Sequence, residues 1–149
     1  MLIAIGSDPN AHGLKDAVAE YLVELGHEVH DFGANDPLYP KTAIAVAQSV
    51  ANGEVDRGVV MCGTGIGVSI SANKVPGAHC ALLTDAYQAE RAQLSNNANM
   101  VAFGAQVTGV ESVKRLLRDY LSVSYLENDR SAPKLAVLHE YDVGRPTRS

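Results

Sequence analysis

Short apolar segments alternate with amphipathic segments along the whole chain. Several of the apolar runs are continuously hydrophobic, which is typical of strands buried on both faces. The predicted strands are Leu2–Ile5, Glu28–Phe32, Gly58–Met61, His79–Leu83 and Met100–Phe103. Elsewhere the apolar positions recur every three or four residues, as on one face of a helix. The predicted helices are Leu14–Leu25, Thr42–Ala51, Gly65–Lys74, Ala86–Leu94, Val110–Leu121 and Pro133–Tyr141.

This order of elements predicts an α/β fold. Strands that alternate with helices through short connections form right-handed crossovers, and therefore a parallel sheet covered on both sides. The 149 residues fit one domain spanning 1–149, with a flexible tail at about 142–149. Ligands of such sheets bind beyond the carboxyl ends of the strands. The segments expected there are Gly6-Ser7-Asp8, Cys62-Gly63-Thr64-Gly65 and Thr84-Asp85.

Composition and charge narrow the function classes. Apolar residues make up 46% of the chain and charged residues 19%, as in ordinary globular proteins. The formal net charge of -5 provides no basic field for nucleic acid, so an anionic ligand must be bound by local groups. No apolar run approaches the ~20 residues that span a bilayer, and the N-terminus resembles a strand and not a signal peptide. With only two cysteines, we expect free thiols and a cytoplasmic location.

The segment between Val59 and Ser69 contains the main candidates for catalytic and anion-binding residues. A buried strand ends in Cys62, and three glycines then open a helix. Glycines let the backbone approach a ligand closely, and a helix start offers unpaired amides to negative charge. The partial positive charge at a helix start also favours the thiolate form of a neighbouring cysteine. A thiolate beside amide donors can remove a proton from carbon while the donors stabilise the resulting enediolate oxygen.

Other interpretations of this segment remain open on spacing alone. A cysteine that ends a buried strand is commonly a small core residue. Glycine-rich turns also bind nucleotides, but this spacing is Gly-x-Gly-x-Gly and it follows the third strand, which disfavours a dinucleotide site. By itself the segment predicts an anion-binding turn.

The run from Cys62 to Gly77, CGTGIGVSISANKVPG, resembles the signature of type B ribose-5-phosphate isomerases and their relatives, the galactose-6-phosphate isomerases. The resemblance extends over nearly the whole chain. Further matching positions are Gly6-Ser7-Asp8, Leu14-Lys15, Asp31-Phe32-Gly33, Tyr39-Pro40, Asn96, Ala98-Asn99 and Gly104.

The resemblance implies a cytoplasmic aldose–ketose isomerase of a sugar phosphate, as in the pentose phosphate pathway. It implies a three-layer, doubly wound (Rossmann-like) sheet of five parallel strands with a C-terminal helical arm. It also implies a homodimer or homotetramer with shared active sites, and no metal or organic cofactor. Cys62 would be the base that moves a proton between C1 and C2, assisted by Thr64. The implied substrate-binding residues are Asp8, Tyr39, Gly63, Gly65, Gly67, Asn96 from the partner subunit, Arg130 and Lys134.

Several positions depart from the family pattern. Pro9 occupies the place of a ligand-facing histidine, and Ser95 that of the histidine held to open the furanose ring. Gln106 stands where an arginine is usual. The two C-terminal phosphate-binding arginines correspond to Arg130 and Lys134, and a lysine lacks the bidentate fork of arginine. Without the resemblance, this last pair would be interpreted as a solvated helix face.

Two hypotheses account for Ser95. A four-carbon aldose phosphorylated on O4 cannot close a five-membered ring, so its isomerase needs Cys62 but no ring-opening group. Alternatively, the chain is the cysteine-bearing subunit of a heteromeric, galactose-6-phosphate-type isomerase. His12 is a possible local substitute, although a helix-surface role is favoured for it. The alternative hypothesis from another functional class is a non-catalytic sugar-phosphate-binding protein that has kept the fold.

Overall fold

Five parallel strands form the central sheet. The computed structural model describes residues 1–128 and 130–144. The strands are β1 (Leu2–Ser7), β2 (Glu28–Asp31), β3 (Arg57–Cys62), β4 (Cys80–Leu82) and β5 (Met100–Gly104). Their order across the sheet is β2-β1-β3-β5-β4, and every neighbouring pair is parallel. The predicted doubly wound parallel sheet is confirmed.

Helices follow the strands, as predicted. They are α1 (His12–Glu24), α2 (Tyr39–Ala51), α3 (Ile66–Ala72), α4 (Ala86–Leu94), α5 (Val110–Leu121) and α6 (Ala132–Gly144). The clearest difference is that α2 begins at Tyr39, three residues before the predicted start. Pro40 is tolerated there because a first-turn residue needs no amide partner. In the described part of the chain, the helices are too short or too polar to cross a membrane.

The two faces of the sheet carry separate apolar cores. Side chains alternate along a strand, so neighbouring residues of β3 belong to different cores. Val59 and Met61 pack with α1, α4 and α5, whereas Val60 and Cys62 pack with α2 and α3. This arrangement gives the predicted three layers. It also places Cys62 on the α2/α3 face.

The C-terminal helix α6 lies against the start of β4. Leu135 is buried, and the Asp142 carboxylate accepts hydrogen bonds from the loop before β4. Since α6 continues to Gly144, residues 142–144 are helical, and the expectation of a flexible tail at about 142–149 stays a prediction. Residues 145–149 lie outside the described residues.

A buried lysine links α1 to β2. Lys15 is 4% exposed, and its ammonium group bonds to Asp31 at the end of β2 and, at 3.0 Å, to Asp16. Burial by itself lowers the pKa of Lys15, but the hydrogen bonds to Asp31 and Asp16 outweigh it and raise the pKa above its ordinary value of 10.5. The ion pair therefore stabilises the folded state.

We expect Lys15→Met to lower the free energy of unfolding at pH 7 by about 1–2 kcal/mol, because the variant loses charge-assisted hydrogen bonds but keeps the apolar stem. Since the pKa of Lys15 is higher in the folded state, its contribution is complete below pH 10.5 and is lost as the pH rises through the folded value. Urea unfolding of both proteins between pH 7 and pH 11 measures this. A difference that stays constant up to pH 11 would contradict it.

Candidate active site

Three loops meet at the carboxyl edge of the sheet, as the parallel topology requires. The Asp8 amide donates to the Met61 carbonyl at 3.3 Å, which joins the loop after β1 to the end of β3. On the other side, the amides of Ala105 and Gln106 donate to the carbonyls of Cys62 and Gly63, both at 2.9 Å. The turn after β3 is therefore held from both sides.

Cys62 occupies the centre of this edge. Its side chain is 5% exposed, and its sulfur accepts a hydrogen bond from the Gly65 amide at 3.2 Å. The sulfur is thus shielded from bulk water while it faces a backbone donor.

The start of α3 supplies further donors beside Cys62. The Ile66 amide is bonded to the Thr64 side-chain oxygen at 3.2 Å, which leaves the Thr64 hydroxyl proton available to another acceptor. The amides of Gly67 and Val68, in the first turn of α3, have no carbonyl within the helix to bond. Together these groups form a cradle suited to a developing oxyanion.

Two glycines allow the backbones of this site to approach one another. Gly65 has a φ of +78°, and a Cβ there would lie 2.8 Å from the backbone carbonyl carbon of Phe103. A Cβ on Gly104 would lie 2.5 Å from the backbone of Thr64. Only glycine fits at both positions, so the turns after β3 and β5 pack backbone against backbone.

Two side chains cover the remaining glycines of the turn. The ring of Tyr39 lies over Gly67, where a Cβ would be 2.5 Å from its Cζ atom. The carboxamide of Gln106 lies over Gly63, with Oε1 3.1 Å from the position of a Cβ. Tyr39 was predicted at the site. Gln106 was noted only as a departure from the family pattern, and its position follows from the pairing of β3 with β5.

Asp8 is a buried carboxylate at the rim of the site. Its Oδ2 accepts from Asn10 Nδ2 at 3.2 Å, whereas Oδ1 has no partner among the described residues. An unpaired buried carboxylate oxygen is well suited to accept a ligand hydroxyl. Sequence reasoning missed Asn10, which reaches Asp8 because Pro9 begins a 3₁₀ turn, Pro9–Ala11. Pro9 itself offers no donor here.

His12 takes the surface role that the sequence favoured. Its ring is 59% exposed and pairs with Asp16, one turn along α1, at 3.2 Å. The second cysteine, Cys80, is partly buried and packs against the α2/α3 core. Burial raises the pKa of Cys80 to about 12, opposed only in part by a hydrogen bond to Ser69, so its sulfur remains a thiol at neutral pH.

The other predicted site residues lie at the opposite edge of the sheet. Ser95 ends α4, and the exposed Asn96 follows it in the loop before β5. Cys62 is paired with Gly104 at the far end of β5, about 13 Å from Met100 at ~3.3 Å per residue. Within one chain, Ser95 and Asn96 are therefore not brought to Cys62.

Arg130 and Lys134 lie between two segments that are anchored at this amino edge. Both are exposed. The Tyr120 hydroxyl near the end of α5 bonds to the Ala98 carbonyl at 2.6 Å, and Asp142 near the end of α6 bonds to His79 at 2.8 Å. Among the described residues, no three His, Cys, Asp or Glu side chains are grouped to hold a metal ion.

Comparisons with known proteins agree with this geometry. The chain matches the ribose/galactose isomerase family over residues 3–138. A D-erythrulose-4-phosphate isomerase from Pectobacterium atrosepticum is 40% identical over 144 residues, which are 94% of each protein. A galactose-6-phosphate isomerase subunit LacB from Clostridium acetobutylicum is 38% identical over 151 residues, which cover 97% of this chain and 87% of that protein.

A solved structure extends the agreement to the fold. Ribose-5-phosphate isomerase B from Clostridium thermocellum has a TM-score of 0.91 at 38% identity, covering 96% of this chain and 98% of that one. The family predicted from the run Cys62–Gly77 is thereby confirmed. This chain belongs to the ribose/galactose isomerase family, and it is an aldose–ketose isomerase.

Proposed function

We propose that the protein isomerises an acyclic four-carbon sugar phosphate, with Cys62 moving the proton between C1 and C2. The observation that carries the chemistry is the position of the Cys62 sulfur, which accepts the Gly65 amide at 3.2 Å where β3 meets α3. A base of this reaction must be shielded from water and close to donors for the developing oxyanion. Cys62 meets both conditions.

The reaction follows from the groups around this sulfur. The Cys62 thiolate removes the proton from C2 of the aldose, and the electrons of that C–H bond form the C1=C2 double bond of an enediolate. Negative charge develops on O1, where the Thr64 hydroxyl and the amides of Gly67 and Val68 donate to it. The Cys62 thiol then protonates C1 while the hydroxyl proton passes from O2 to O1, which yields the ketose and regenerates the thiolate.

Two further side chains would orient the substrate. Asp8 offers its unpartnered Oδ1 to a sugar hydroxyl, since a buried carboxylate oxygen gains more from that bond than an exposed one. Tyr39 lies over Gly67, beside the first turn of α3, and would contact the sugar from the opposite side. Gly63, Gly65 and Gly67 keep the backbone close enough for its amides to reach the substrate.

The serine at position 95 supports the hypothesis that the substrate does not form a ring. A serine hydroxyl has no acid–base capacity near neutral pH, so it cannot replace the histidine expected at this position. A four-carbon aldose phosphorylated on O4 has no free hydroxyl with which to close a five-membered ring. The similarity to a D-erythrulose-4-phosphate isomerase supports the same substrate class.

We further propose that a second copy of the chain completes each site. Cys62 lies at the carboxyl edge of the sheet, whereas Asn96 lies at the amino edge, where the segments that flank Arg130 and Lys134 are anchored. Two copies related by a two-fold axis would place the amino edge of each against the carboxyl edge of the other, which forms two equivalent sites. Ile66 and Ile70 on α3 are 52% and 57% exposed, and such an interface would cover them.

A cytoplasmic location and independence from a metal remain predictions.

A heteromer is the second candidate, because one similar protein is named as an isomerase subunit. In that case, the chain alone would lack part of its site. A non-catalytic binding protein is the third possibility, but it would need the glycine turn without the thiol.

The first test measures isomerisation and proton exchange of the purified chain in heavy water. We expect kcat/KM for D-erythrulose 4-phosphate or an aldose 4-phosphate of four carbons to exceed that for ribose 5-phosphate and galactose 6-phosphate by at least about tenfold, or ~1.4 kcal/mol. NMR detects deuterium at C1 or C2. A preference for ribose 5-phosphate would refute the acyclic substrate. Absence of exchange with every sugar would favour the heteromer or the binding protein.

The second test substitutes the proposed base. Cys62→Ala should bind substrate as the wild type does but lose nearly all turnover, because it lacks the group proposed to take the proton from C2. Cys80→Ala is the matched control and should keep turnover within about twofold, since its thiol stays protonated. If Cys62→Ala retained more than about a tenth of the wild-type rate, or ~1.4 kcal/mol in barrier, another residue would be the base.

The third test asks whether two copies share a site. Copies with Cys62→Ala are refolded together with copies that carry both Arg130→Ala and Lys134→Ala. The second parent alone should show a raised KM. In a dimer that mixes at random, about a quarter of the sites are intact, so kcat/KM should recover to roughly that fraction of wild type. Activity that only averages the two parents would place Cys62, Arg130 and Lys134 in the same site of one chain.

A further inference from the structure

Three elements converge at the amino edge of the sheet. The helix α6 packs against the loop before β4 and faces the loop before β5. A cavity of about 290 Å³ lies at this junction, and its lining includes His79, Asn96, Leu138, Tyr141 and Asp142. The proposed function uses Asn96 from this region but assigns no role to the residues around it.

Hydrogen bonds join these elements in a continuous path. The Asp142 Oδ2 atom accepts from the Gly77 amide at 3.1 Å and from His79 Nε2 at 2.8 Å. The His79 amide donates to Asn99 Oδ1 at 2.8 Å, and Asn99 Nδ2 donates to the Gly77 carbonyl at 2.8 Å. The path therefore runs from α6, through the loop before β4, to the loop that carries Asn96.

The two side chains that join α6 to this path are largely sheltered from solvent. The side chains of His79 and Asp142 are 21% and 16% exposed. At such exposure, a carboxylate that lost its donors would leave a charge poorly solvated, so the bonds constrain its position. The ring of His139, three residues before Asp142, is stacked on that of His79 with centroids 5.5 Å apart, which gives α6 a second contact with the same loop.

Two of the proposed substrate-binding residues, Asn96 and Lys134, lie on the elements that this path connects. Asn96 lies three residues before Asn99, in a turn where Asn97 takes a φ of +46°. Lys134 lies on the same helix as Asp142, about 12 Å away at ~1.5 Å per residue. Since a helix moves as a rigid rod, fixing Asp142 also restricts Lys134.

We propose that His79, Asn99 and Asp142, here named the α6 bridge, are positioning residues for substrate binding. The bridge holds α6 and the Asn96 loop in one fixed relation, so that the phosphate-binding cations and Asn96 are presented to the substrate as a single rigid element. This inference rests on the proposed function, in which these groups bind the sugar phosphate. The bridge residues themselves do not touch the substrate.

The kinetic test separates binding from chemistry. Asp142→Ala should raise KM by roughly 5–10-fold and change kcat by less than about twofold, because Cys62 and its cradle lie at the other edge of the sheet. Asp142→Asn keeps an oxygen that can accept from both Gly77 and His79, so it should restore KM to within about twofold of wild type. Glu140→Ala removes an exposed carboxylate from the same helix and should leave both constants unchanged.

Two kinetic results would overturn the proposal. One is an unchanged KM in Asp142→Ala. The other is a loss of kcat at constant KM, which would assign the residue to chemistry and not to positioning.

Hydrogen exchange tests the bridge without turnover. The amides of Asn97 and Ala98 are bonded to carbonyls of α4 at 3.0 and 2.8 Å, and they should exchange several-fold faster in Asp142→Ala than in Glu140→Ala. Equal exchange in the two variants would refute the bridge even if KM had changed. If the wild type turned over no sugar phosphate while the exchange difference was present, the proposed function would fail and the mechanical link would stand.

Discussion

The hydrogen bond from the Gly65 amide to the Cys62 sulfur is the interaction on which the site depends. It requires a left-handed residue three positions after the cysteine, and that backbone conformation brings the turn against the end of β5. Gly104 must also lack a side chain, because the turn packs directly against its backbone. The chemistry of one sulfur is therefore tied to the packing of two neighbouring strands.

The two edges of the sheet hold different kinds of chemical groups. Its carboxyl edge holds the thiol, the amide cradle and the buried Asp8, which are suited to moving protons and accepting hydroxyls. Its amino edge holds Asn96 and anchors the segments that flank two exposed cations, Arg130 and Lys134, whose charge is suited to binding an anion. A chain of net charge -5 has no general attraction for a phosphate, so the proposed binding of one depends on local cations such as these two.

Much of this could be predicted from the sequence, because it depends on local pattern. Strand runs, helix periodicity and the glycines after Cys62 predict the elements and the anion-binding turn. The order of strands could not be predicted, since β5 lies between β3 and β4 only through long-range pairing. The position of Gln106 over Gly63 depends on that pairing. The contact of Asn10 with Asp8 depends on a turn that Pro9 begins, and the separation of Asn96 from Cys62 becomes visible only in three dimensions.

The membership of Cys62 in the apolar layer beneath α2 and α3 has a consequence for protein engineering. The same apolar cluster includes Val60, Val68 and Ala102. Enlarging or shrinking any of these would shift the Cys62 sulfur relative to its backbone donor, so stabilising designs on that face would disturb the proposed base. The layer formed with α1, α4 and α5 contains no such group, and redesign for heat resistance can begin there.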